Sequence, residues 1–579
     1  MKFIIIFSFI IFNSTYWNYS INKLKLNHTL SLIIFLYVLL YACGGGQSNI
    51  SSSGSVANIE SAGQHNLGNI ITVYSDKDIG FINKSIFGNN FKSRDPVNTE
   101  PVPYYAMSDY GTGVWDPKMG KPNEKVMSLA IEAGVSIVRF AVGNHWDWGN
   151  AIGNNREHFL FGIDEFMETM EVIGSKAVFI VSPTIGDERD AADLVEYLNA
   201  QSNGSNINGG VNWAQERAMN GHPEPYNVKY FEIGNETYGE GSRIGRPQLY
   251  VDIYLKYFDA MKAVDPSIKI GFVLPPNLWH SWFTQGEVLS VIKDKLDYGI
   301  IHRYINSIWS EDVMKTVSAE DRFKIALSMP LLTINVEIPE YLKRLKDYSG
   351  KDIPLAISEY NSWHLNNQHW QLGAALLNAE LLKILIKPEH KILMANHWQM
   401  SNGLYGMIRA DKAYQNNPYS LPINYIKRPN YYVFELYNKH FGDVLVESDV
   451  QGDFYDISTY QFYNEIIEKY SLGKFSASPN TQIPYLSVNA SKSIDGTEVY
   501  LMVINKNMDS SVTSLVDLKN ITPLKKADIW ILNGPSVDST NEEREKQVKI
   551  THNVLNIDKN PFTISFEPHS ITAIGISAN

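Results

Sequence analysis

Short apolar runs alternate with longer amphipathic stretches between about residue 70 and residue 430. Apolar runs of this length are typical of buried parallel strands, and the stretches between them are typical of helices. The candidate strands span 86–91, 135–141, 176–182, 229–235, 268–274, 298–304, 353–359 and 392–398. Eight strands with helices between them predict an α/β fold of the (β/α)8 TIM-barrel type.

Helical spacing of the apolar positions supports this interpretation. The predicted helices span 124–133, 191–200, 247–264 and 371–386. The first of them ends before Gly134, a residue that suits a left-handed C-cap. The last carries apolar residues at helical spacing, and its Gly373, Ala374 and Ala375 allow close packing. We therefore expect helices to cover the outside of the barrel.

The pattern changes after about residue 430. Strand-like segments follow one another with turn signals such as Asp495-Gly496 between them, and no long helical pattern interrupts them. These segments span 485–490, 498–505, 526–532, 548–551, 562–566 and 571–576. They predict a C-terminal antiparallel β-sandwich. We place the catalytic barrel at 70–430 and the sandwich at 431–579, with 70–80 as a candidate partner strand of the sandwich.

The N-terminal region has the pattern of a secretory signal. Lys23 and Lys25 precede the apolar run 30–40, and Cys43 follows a small residue. This arrangement resembles a bacterial lipobox, in which the cysteine thiol receives a lipid. We expect residues 1–43 to be a signal peptide and residues 44–69, rich in Gly, Ser and Asn, to be a flexible tether. The alternatives are an uncleaved signal anchor and an ordinary buried cysteine.

A lipidated Cys43 predicts export across the inner membrane and a lipid anchor at the cell envelope, on the outer membrane or the cell surface. The membrane would then be a partner of the protein. The formal charge of −12 comes from 50 basic and 62 acidic residues, and no long basic block is present. Nucleic acid is therefore not an expected partner. The histidines lack the spacing of metal ligands, so we expect neither a metal nor a cofactor.

Two of the predicted barrel strands end in a glutamate. Glu236 follows 228–233 and Glu359 follows 353–357, and both runs have the pattern of a buried strand. The stretch between them has room for about three βα units of roughly 30 residues each. Since the carboxyl ends of parallel barrel strands share one rim, we expect the two carboxylates to face each other.

A pair of carboxyl groups on one rim can cleave a glycosidic bond. One group protonates the leaving oxygen, and the other stabilises the oxocarbenium-like transition state. Mutual repulsion is expected to raise the pKa of one of the two, which keeps that group protonated near neutral pH. Asn235, directly before Glu236, can hydrogen-bond to a sugar 2-hydroxyl. The structural alternative makes Glu236 a carboxylate at a helix start and Glu359 a surface acid.

The segments around these glutamates resemble those of glycoside hydrolase family 51, the α-L-arabinofuranosidases of clan A. The similar segments are 220–236 before the acid/base, 359–363 at the nucleophile, Arg139-Phe140 with Gly143-Asn144, and His302-Arg303-Tyr304. The likeness extends over roughly residues 70–579. It implies that Glu236 is the acid/base and Glu359 the nucleophile. It also implies that Arg139 lies beside the nucleophile and that Tyr304 hydrogen-bonds to it.

The same resemblance implies roles in sugar binding. Asn235 would hold the 2-hydroxyl, Asn144 would contact the sugar in the −1 subsite, and Trp363 would form a wall of that subsite. His302 would be a structural hydrogen-bonding residue near the site. Ala141-Val142-Gly143 stands where the family usually has Pro-Gly-Gly, which leaves the identity of the sugar open.

The implied activity is removal of α-L-arabinofuranose from polysaccharides or oligosaccharides by double displacement. One alternative is an endo-glucanase, a xylanase or an exo-glycosidase for another sugar on the same barrel. The other is a non-catalytic surface lipoprotein that binds carbohydrate. The expected partner is a carbohydrate substrate, and the resemblance permits a homo-oligomer.

Overall fold

The computed structural model describes the chain in several ranges, all within the unit Asn66–Asn579. The described residues are 68–93, 110–153, 156, 159–238, 244, 246–275, 287–305, 317–362, 368–402, 405–410, 425–460, 463, 480–542 and 546–578. Two predicted functional residues, Cys43 and Trp363, lie outside these ranges. The predicted signal peptide and nearly all of the predicted tether lie outside them as well.

Eight parallel strands close into a barrel, as the sequence pattern predicts. The strands are β1 (Gly88–Lys92), β2 (Ile137–Ala141), β3 (Lys176–Val181), β4 (Tyr230–Ile233), β5 (Lys269–Val273), β6 (Tyr298–Ile305), β7 (Leu355–Ser362) and β8 (Ile392–His397). They pair in sequence order, and β8 pairs with β1 to complete the ring. The carboxyl ends of β4, β6 and β7 therefore lie on one rim.

Helices occupy the connections between these strands, and one more helix, Pro429–Lys439, follows the last barrel strand. They are α1 (Glu124–Glu132), α2 (Ile163–Ile173), α3 (Glu188–Asn199), α4 (Trp213–Met219), α5 (Pro247–Val264), α6 (Glu287–Ile292), α7 (Ala319–Met329), α8 (Asn335–Ser349), α9 (Leu372–Leu385) and α10 (Pro429–Lys439). Local signals set several of the ends. Asp187, for example, accepts hydrogen bonds from the backbone N–H groups of Arg189 and Asp190 at the start of α3.

A nine-stranded, mostly antiparallel sheet forms the C-terminal region. Its strands after the barrel are β9 (Val444–Gln451), β10 (Leu486–Lys492), β11 (Glu498–Asn505), β12 (Val512–Lys519), β13 (Pro523–Asn533), β14 (Lys549–Asn556), β15 (Phe562–Phe566) and β16 (Ser570–Ala578). The ninth strand is Ile70–Phe81, which lies antiparallel to β9 and parallel to β12. Strands from both ends of the chain thus enclose a second apolar core.

Helix α9 packs between the barrel and this sheet. Nearly all of its side chains are buried, because one face covers β7 and the opposite face contacts β10, β11 and β16. An ion pair crosses this junction, where Lys506 Nζ lies 3.2 Å from Glu380 Oε1 and both side chains are 0% exposed. Lys506 also donates to Ser487 Oγ at 2.6 Å. The junction is therefore tied by a polar contact as well as by apolar packing.

Among the helices of the described ranges, none combines the length and the apolar character needed to cross a membrane.

Candidate active site

A tight turn after β4 places Glu236 on the rim. Gly234 has a φ of +86°, and a Cβ on it would lie 2.5 Å from Thr237 Cγ2. Only glycine fits such a turn without strain. Glu236 itself has a φ of +44°, in the left-handed region that non-glycine residues rarely adopt. Strain of this kind is characteristic of functional sites held by their surroundings.

Glu359 lies within β7, opposite this turn. Acceptor or donor atoms of Glu236, Glu359 and His302 all lie within 4.8 Å of one another. The Glu359 side chain is 9% exposed, whereas the Glu236 side chain is 44% exposed. The barrel thus brings together the two glutamates that the sequence singles out, one buried and one open to solvent.

Arg139, at the centre of β2, joins four groups of the site. Its Nη1 donates to Glu359 Oε1 at 2.9 Å, and its Nη2 donates to Asn235 Oδ1 at 2.7 Å. Its Nε donates to Glu232 Oε2 at 2.6 Å, and Nη1 also reaches Asn90 Oδ1 at 3.3 Å. The guanidinium is buried, and burial lowers its pKa, but Glu232 and Glu359 raise that pKa above its ordinary value. A permanent positive charge therefore lies beside Glu359.

Tyr304 completes the support of Glu359. Its hydroxyl donates to Glu359 Oε2 at 2.7 Å, while Arg139 Nη1 donates to the other oxygen, Oε1. Burial and the neighbouring Glu359 raise the pKa of Tyr304 well above its ordinary value, so the phenol keeps its proton. With a donor on each oxygen, the Glu359 carboxylate is held in one orientation.

His302 lies between the two glutamates. Its Nδ1 is 2.9 Å from Glu236 Oε1 and 3.6 Å from Glu359 Oε2, and its Nε2 is 3.1 Å from Ser358 Oγ. Burial lowers the pKa of His302, but the charges of Glu359 and Glu236 and the bond to Glu236 outweigh it, and the net pKa is raised. An imidazolium is thus favoured between the carboxylates.

The protonation of Glu236 differs from the expectation. We expected repulsion between the carboxylates to raise one pKa. Burial does raise the pKa of Glu236, but the hydrogen bond and charge of His302, with smaller contributions from Arg139 and Tyr238, lower it below its ordinary value. The reason is that a cation lies between the two carboxylates, which sequence spacing does not reveal. His302 and Glu236 are therefore best regarded as a pair that shares one proton.

Asn144 and Asn235 lie together on the same rim. Asn144 Oδ1 accepts from the backbone N–H of Asn235 at 2.6 Å, and Asn144 Nδ2 donates to the Asn235 carbonyl. Because Arg139 can only donate, the Asn235 amide turns its oxygen toward Arg139 and its nitrogen away. Asn144 thus holds the turn that carries Asn235. Its contact with a sugar, like that of Trp363, stays a prediction.

The structure adds three residues that the sequence reasoning missed. Glu232 anchors Arg139, Ser358 lies against His302, and Tyr238 hydrogen-bonds to Glu236. Glu232 has a visible signal in the sequence, since it is a charged residue between the apolar residues Phe231 and Ile233 of a predicted strand. Ser358 and Tyr238 have none, because neither has an unusual local environment in the sequence.

Glu236, His302 and Glu359 also form the one group with metal-ligand spacing among the described residues. Arg139 already neutralises Glu359 at 2.9 Å, and His302 favours its protonated form, which does not bind a metal. The donor set suits proton sharing better than metal binding. The arrangement offers a buried carboxyl group with a donor on each oxygen, a solvent-open carboxyl group and an imidazole between them.

Two protein-family models match the chain. The model described as the α-L-arabinofuranosidase 1 domain matches residues 130–274, which include Glu236. The model described as the α-L-arabinofuranosidase C-terminal domain matches residues 358–570, which include Glu359.

Curated relatives are similar over most of their length. An intracellular exo-α-L-arabinofuranosidase of Bacteroides ovatus is 23% identical over 84% of this chain and 93% of its own. An intracellular exo-α-(1→5)-L-arabinofuranosidase of Halalkalibacterium halodurans is 23% identical over 83% of this chain and 94% of its own.

These relatives contradict the predicted location. We expected export and a lipid anchor on Cys43 at the cell envelope, whereas the relatives are named as intracellular enzymes. The predicted lipid-anchored location is therefore wrong. The physical reason is that basic residues before a short apolar run and a cysteine form a local composition pattern, which does not by itself establish export.

Solved structures share the fold. The α-L-arabinofuranosidase of Thermotoga maritima, in complex with arabinose, is 24% identical with a TM-score of 0.69, and the match covers 88% of this chain and 100% of that one. The family 51 enzyme of Thermotoga petrophila RKU-1 is 24% identical with a TM-score of 0.67 and the same coverage. Together with the two family models, these matches show a glycoside hydrolase whose barrel and C-terminal region resemble those of α-L-arabinofuranosidases.

Proposed function

We propose that this glycoside hydrolase is a retaining α-L-arabinofuranosidase that acts on arabinose-containing polysaccharides or oligosaccharides. The observation that carries the proposal is the separation of the Glu236 and Glu359 oxygens, which is within 4.8 Å. Retaining enzymes hold their carboxyl groups roughly 5–5.5 Å apart, whereas inverting enzymes need roughly 6.5–9.5 Å to admit a water. The names of the relatives support the arabinofuranosyl substrate.

In the first step Glu359 acts as the nucleophile. Its oxygen attacks the anomeric carbon of the arabinofuranosyl group, and the bond to the leaving oxygen breaks. Glu236 gives a proton to that oxygen as it leaves. Arg139 and Tyr304 keep Glu359 ionised and aligned for the attack, because each donates to one of its oxygens. The product of this step is a glycosyl ester on Glu359.

In the second step Glu236 acts as a base. It removes a proton from water, and the water oxygen attacks the anomeric carbon and displaces Glu359. The solvent exposure of Glu236 suits this step, since water must reach it. We propose that His302 supplies and takes back the proton shared with Glu236, because its Nδ1 lies 2.9 Å from Glu236 Oε1.

The remaining roles complete the proposal. Asn235 directs its amide nitrogen toward the sugar 2-hydroxyl, Asn144 holds the turn and contacts the −1 sugar, and Trp363 forms a wall of that subsite. We also propose that the catalytic domain spans 70–430 and the C-terminal domain spans 431–579, with 70–80 contributed to the latter. The homo-oligomer permitted by the family resemblance stays a prediction.

The test is hydrolysis of a panel of 4-nitrophenyl glycosides by the wild type and by Glu359→Ala. The panel contains the α-L-arabinofuranoside, β-xyloside, β-glucoside and β-galactoside. Turnover of the arabinofuranoside that disappears in the variant supports both the activity and the nucleophile. Turnover of a different glycoside instead, or of none, contradicts the proposed substrate, and endo action on polysaccharides would be examined next. Equal turnover by Glu359→Ala contradicts the assigned nucleophile.

A further inference from the structure

A third carboxylate lies beneath the catalytic pair and has no part in the two-glutamate mechanism. Glu232 is on β4, 0% exposed, and its Oε2 accepts from Arg139 Nε at 2.6 Å. An isolated buried carboxylate is costly, so an ionised group at this position needs a cation. Arg139 is that cation, and it is 1% exposed.

The Arg139 guanidinium therefore donates hydrogen bonds to two carboxylates through different nitrogens. Its Nε contacts Glu232, and its Nη1 contacts Glu359 at 2.9 Å. A positive charge that faced Glu359 alone would stabilise its ionised form more strongly. A carboxylate stabilised in that way is a weaker nucleophile, because the negative charge it must give up during attack is held more tightly. Glu232 offsets part of this charge.

Glu232 also sets the direction of the guanidinium. The Nε bond fixes the plane of the group, and this plane lets Nη1 reach Glu359 while Nη2 reaches Asn235 Oδ1 at 2.7 Å. A guanidinium without the Nε contact could rotate and place both terminal nitrogens on Glu359, as in the common paired geometry of arginine and carboxylate. Asn235 would then lose its partner.

We propose that Glu232 is a positioning residue that divides the charge of Arg139, so that Glu359 is ionised but remains reactive, and that holds Arg139 in the orientation shared with Asn235. This inference rests on the proposed glycosidase mechanism and goes beyond it, because Glu232 touches neither the substrate nor the reacting atoms. Its effect is transmitted through Arg139.

The experiment measures kcat/KM against pH with a 4-nitrophenyl glycoside that the wild type hydrolyses, in the first instance the α-L-arabinofuranoside. The good leaving group reduces the need for Glu236, so the acidic limb reports the ionisation of the nucleophile. The variants are Glu232→Gln, which removes the charge at nearly constant shape, and Glu232→Asp, which keeps the charge and shortens the reach. Glu196→Gln is the matched control, because Glu196 is also 0% exposed but lies on α3 and accepts from the Asn208 backbone.

We expect Glu232→Gln to move the acidic limb to lower pH by on the order of one pH unit, as for a unit charge removed from the far side of a guanidinium group. Its plateau kcat/KM should fall at least about 10-fold, because Glu359 becomes a weaker nucleophile. Glu232→Asp should lower the plateau, because its shorter side chain loosens the contact with Arg139 Nε, and should move the limb in the same direction but by less than Glu232→Gln, because the charge is kept. Glu196→Gln should change neither.

Coincident acidic limbs in the wild type and Glu232→Gln would overturn the inference, whatever the plateau, because a purely structural role lowers activity without moving the limb. A limb that moves in Glu232→Asp as far as in Glu232→Gln, or farther, would overturn it too, since the aspartate keeps the charge. If Glu232→Gln fails to fold by circular dichroism, the decision rests on Glu232→Asp, and a limb that coincides with that of the wild type would then overturn the inference. A wild type that hydrolyses no glycoside of the panel contradicts the proposed function instead, which separates the two failures.

Discussion

Replacing Lys506 by methionine removes the cation from the buried pair at the junction of α9 and the C-terminal sheet. Both side chains of the pair are 0% exposed, and Lys506 donates to Glu380 and to Ser487. The variant leaves Glu380 buried, with Lys383 at 3.5 Å as its remaining cation. We expect a clear loss of stability, because a buried carboxylate that loses its partner keeps its full cost of desolvation.

The size of the loss follows from the burial. Removing one member of a fully buried ion pair costs about 3–5 kcal/mol. Globular proteins unfold with an entropy of about 2.1 cal/mol/K per residue, which amounts to about 1 kcal/mol/K for ~500 residues that unfold together. The expected fall in Tm is therefore about 3–5 °C.

The assay is thermal unfolding followed by circular dichroism at pH 7. Lys519→Met is the matched control, because it removes a lysine of the same sheet that pairs with Asp517 at 2.6 Å but is 45% exposed. A surface pair of this kind contributes at most about 1 kcal/mol, so its Tm should fall by about 1 °C or less. The double variant Glu380→Leu with Lys506→Met should recover most of the loss.

The pH dependence supplies an independent check. Burial lowers the pKa of Lys506 to about 8, although Glu380 raises it. The unfolded chain, with an ordinary lysine pKa of 10.5, therefore binds more protons between about pH 8 and 10.5. As the pH rises across this window, the titration of Lys506 therefore increases the stability of the wild type. The difference in Tm between the wild type and Lys506→Met should widen with rising pH. Equal Tm losses in Lys506→Met and Lys519→Met, or a constant gap, would refute the reasoning.

Two further predictions concern the proton on the active-site pair. Glu236→Ala should lower kcat/KM by roughly 10²–10⁴-fold on alkyl arabinofuranosides, but far less on 4-nitrophenyl arabinofuranoside, because only a poor leaving group needs an acid; equal losses on both would argue against the acid role. His302→Gln should move the alkaline limb of the pH profile with an alkyl substrate to lower pH. In the wild type the shared proton is lost at the raised pKa of His302, whereas Glu236 alone loses it at the pKa of a carboxyl group. A shift of the alkaline limb to higher pH would show instead that Glu236 holds its proton independently of His302. In that case the variant removes the group that lowers the pKa of Glu236, and this pKa rises.

Local features of the sequence account for the strands and for the position of the two candidate glutamates. Each barrel strand is a short apolar run between helical patterns, and such a run forms a strand because it must bury both faces. Gly234, before Asn235 and Glu236, permits the turn at the end of β4 for a similarly local reason, since its φ is positive. The shared rim then follows from the parallel order of the strands, with no knowledge of individual contacts.

The strand 70–81 shows what local sequence patterns cannot predict, namely the neighbours with which a strand pairs. The sequence made this segment a candidate partner of the later sheet, but its place between β9 and β12 depends on pairings with residues more than 360 positions away. A strand's own pattern states which face is buried, not which neighbour it pairs with, because backbone hydrogen bonds are the same for every partner.

The groups that set the protonation of the site follow from the tertiary structure alone. Sequence spacing placed Glu236 and Glu359 on one rim and suggested repulsion between them, but closure of the barrel brings His302 between the two carboxylates and Glu232 beneath Arg139. Charge interactions depend on separations of a few ångströms and on burial, and both are set by the closed barrel. The sequence by itself therefore singled out the two glutamates as candidates and placed them on one rim, and the fold decided which charged groups surround them.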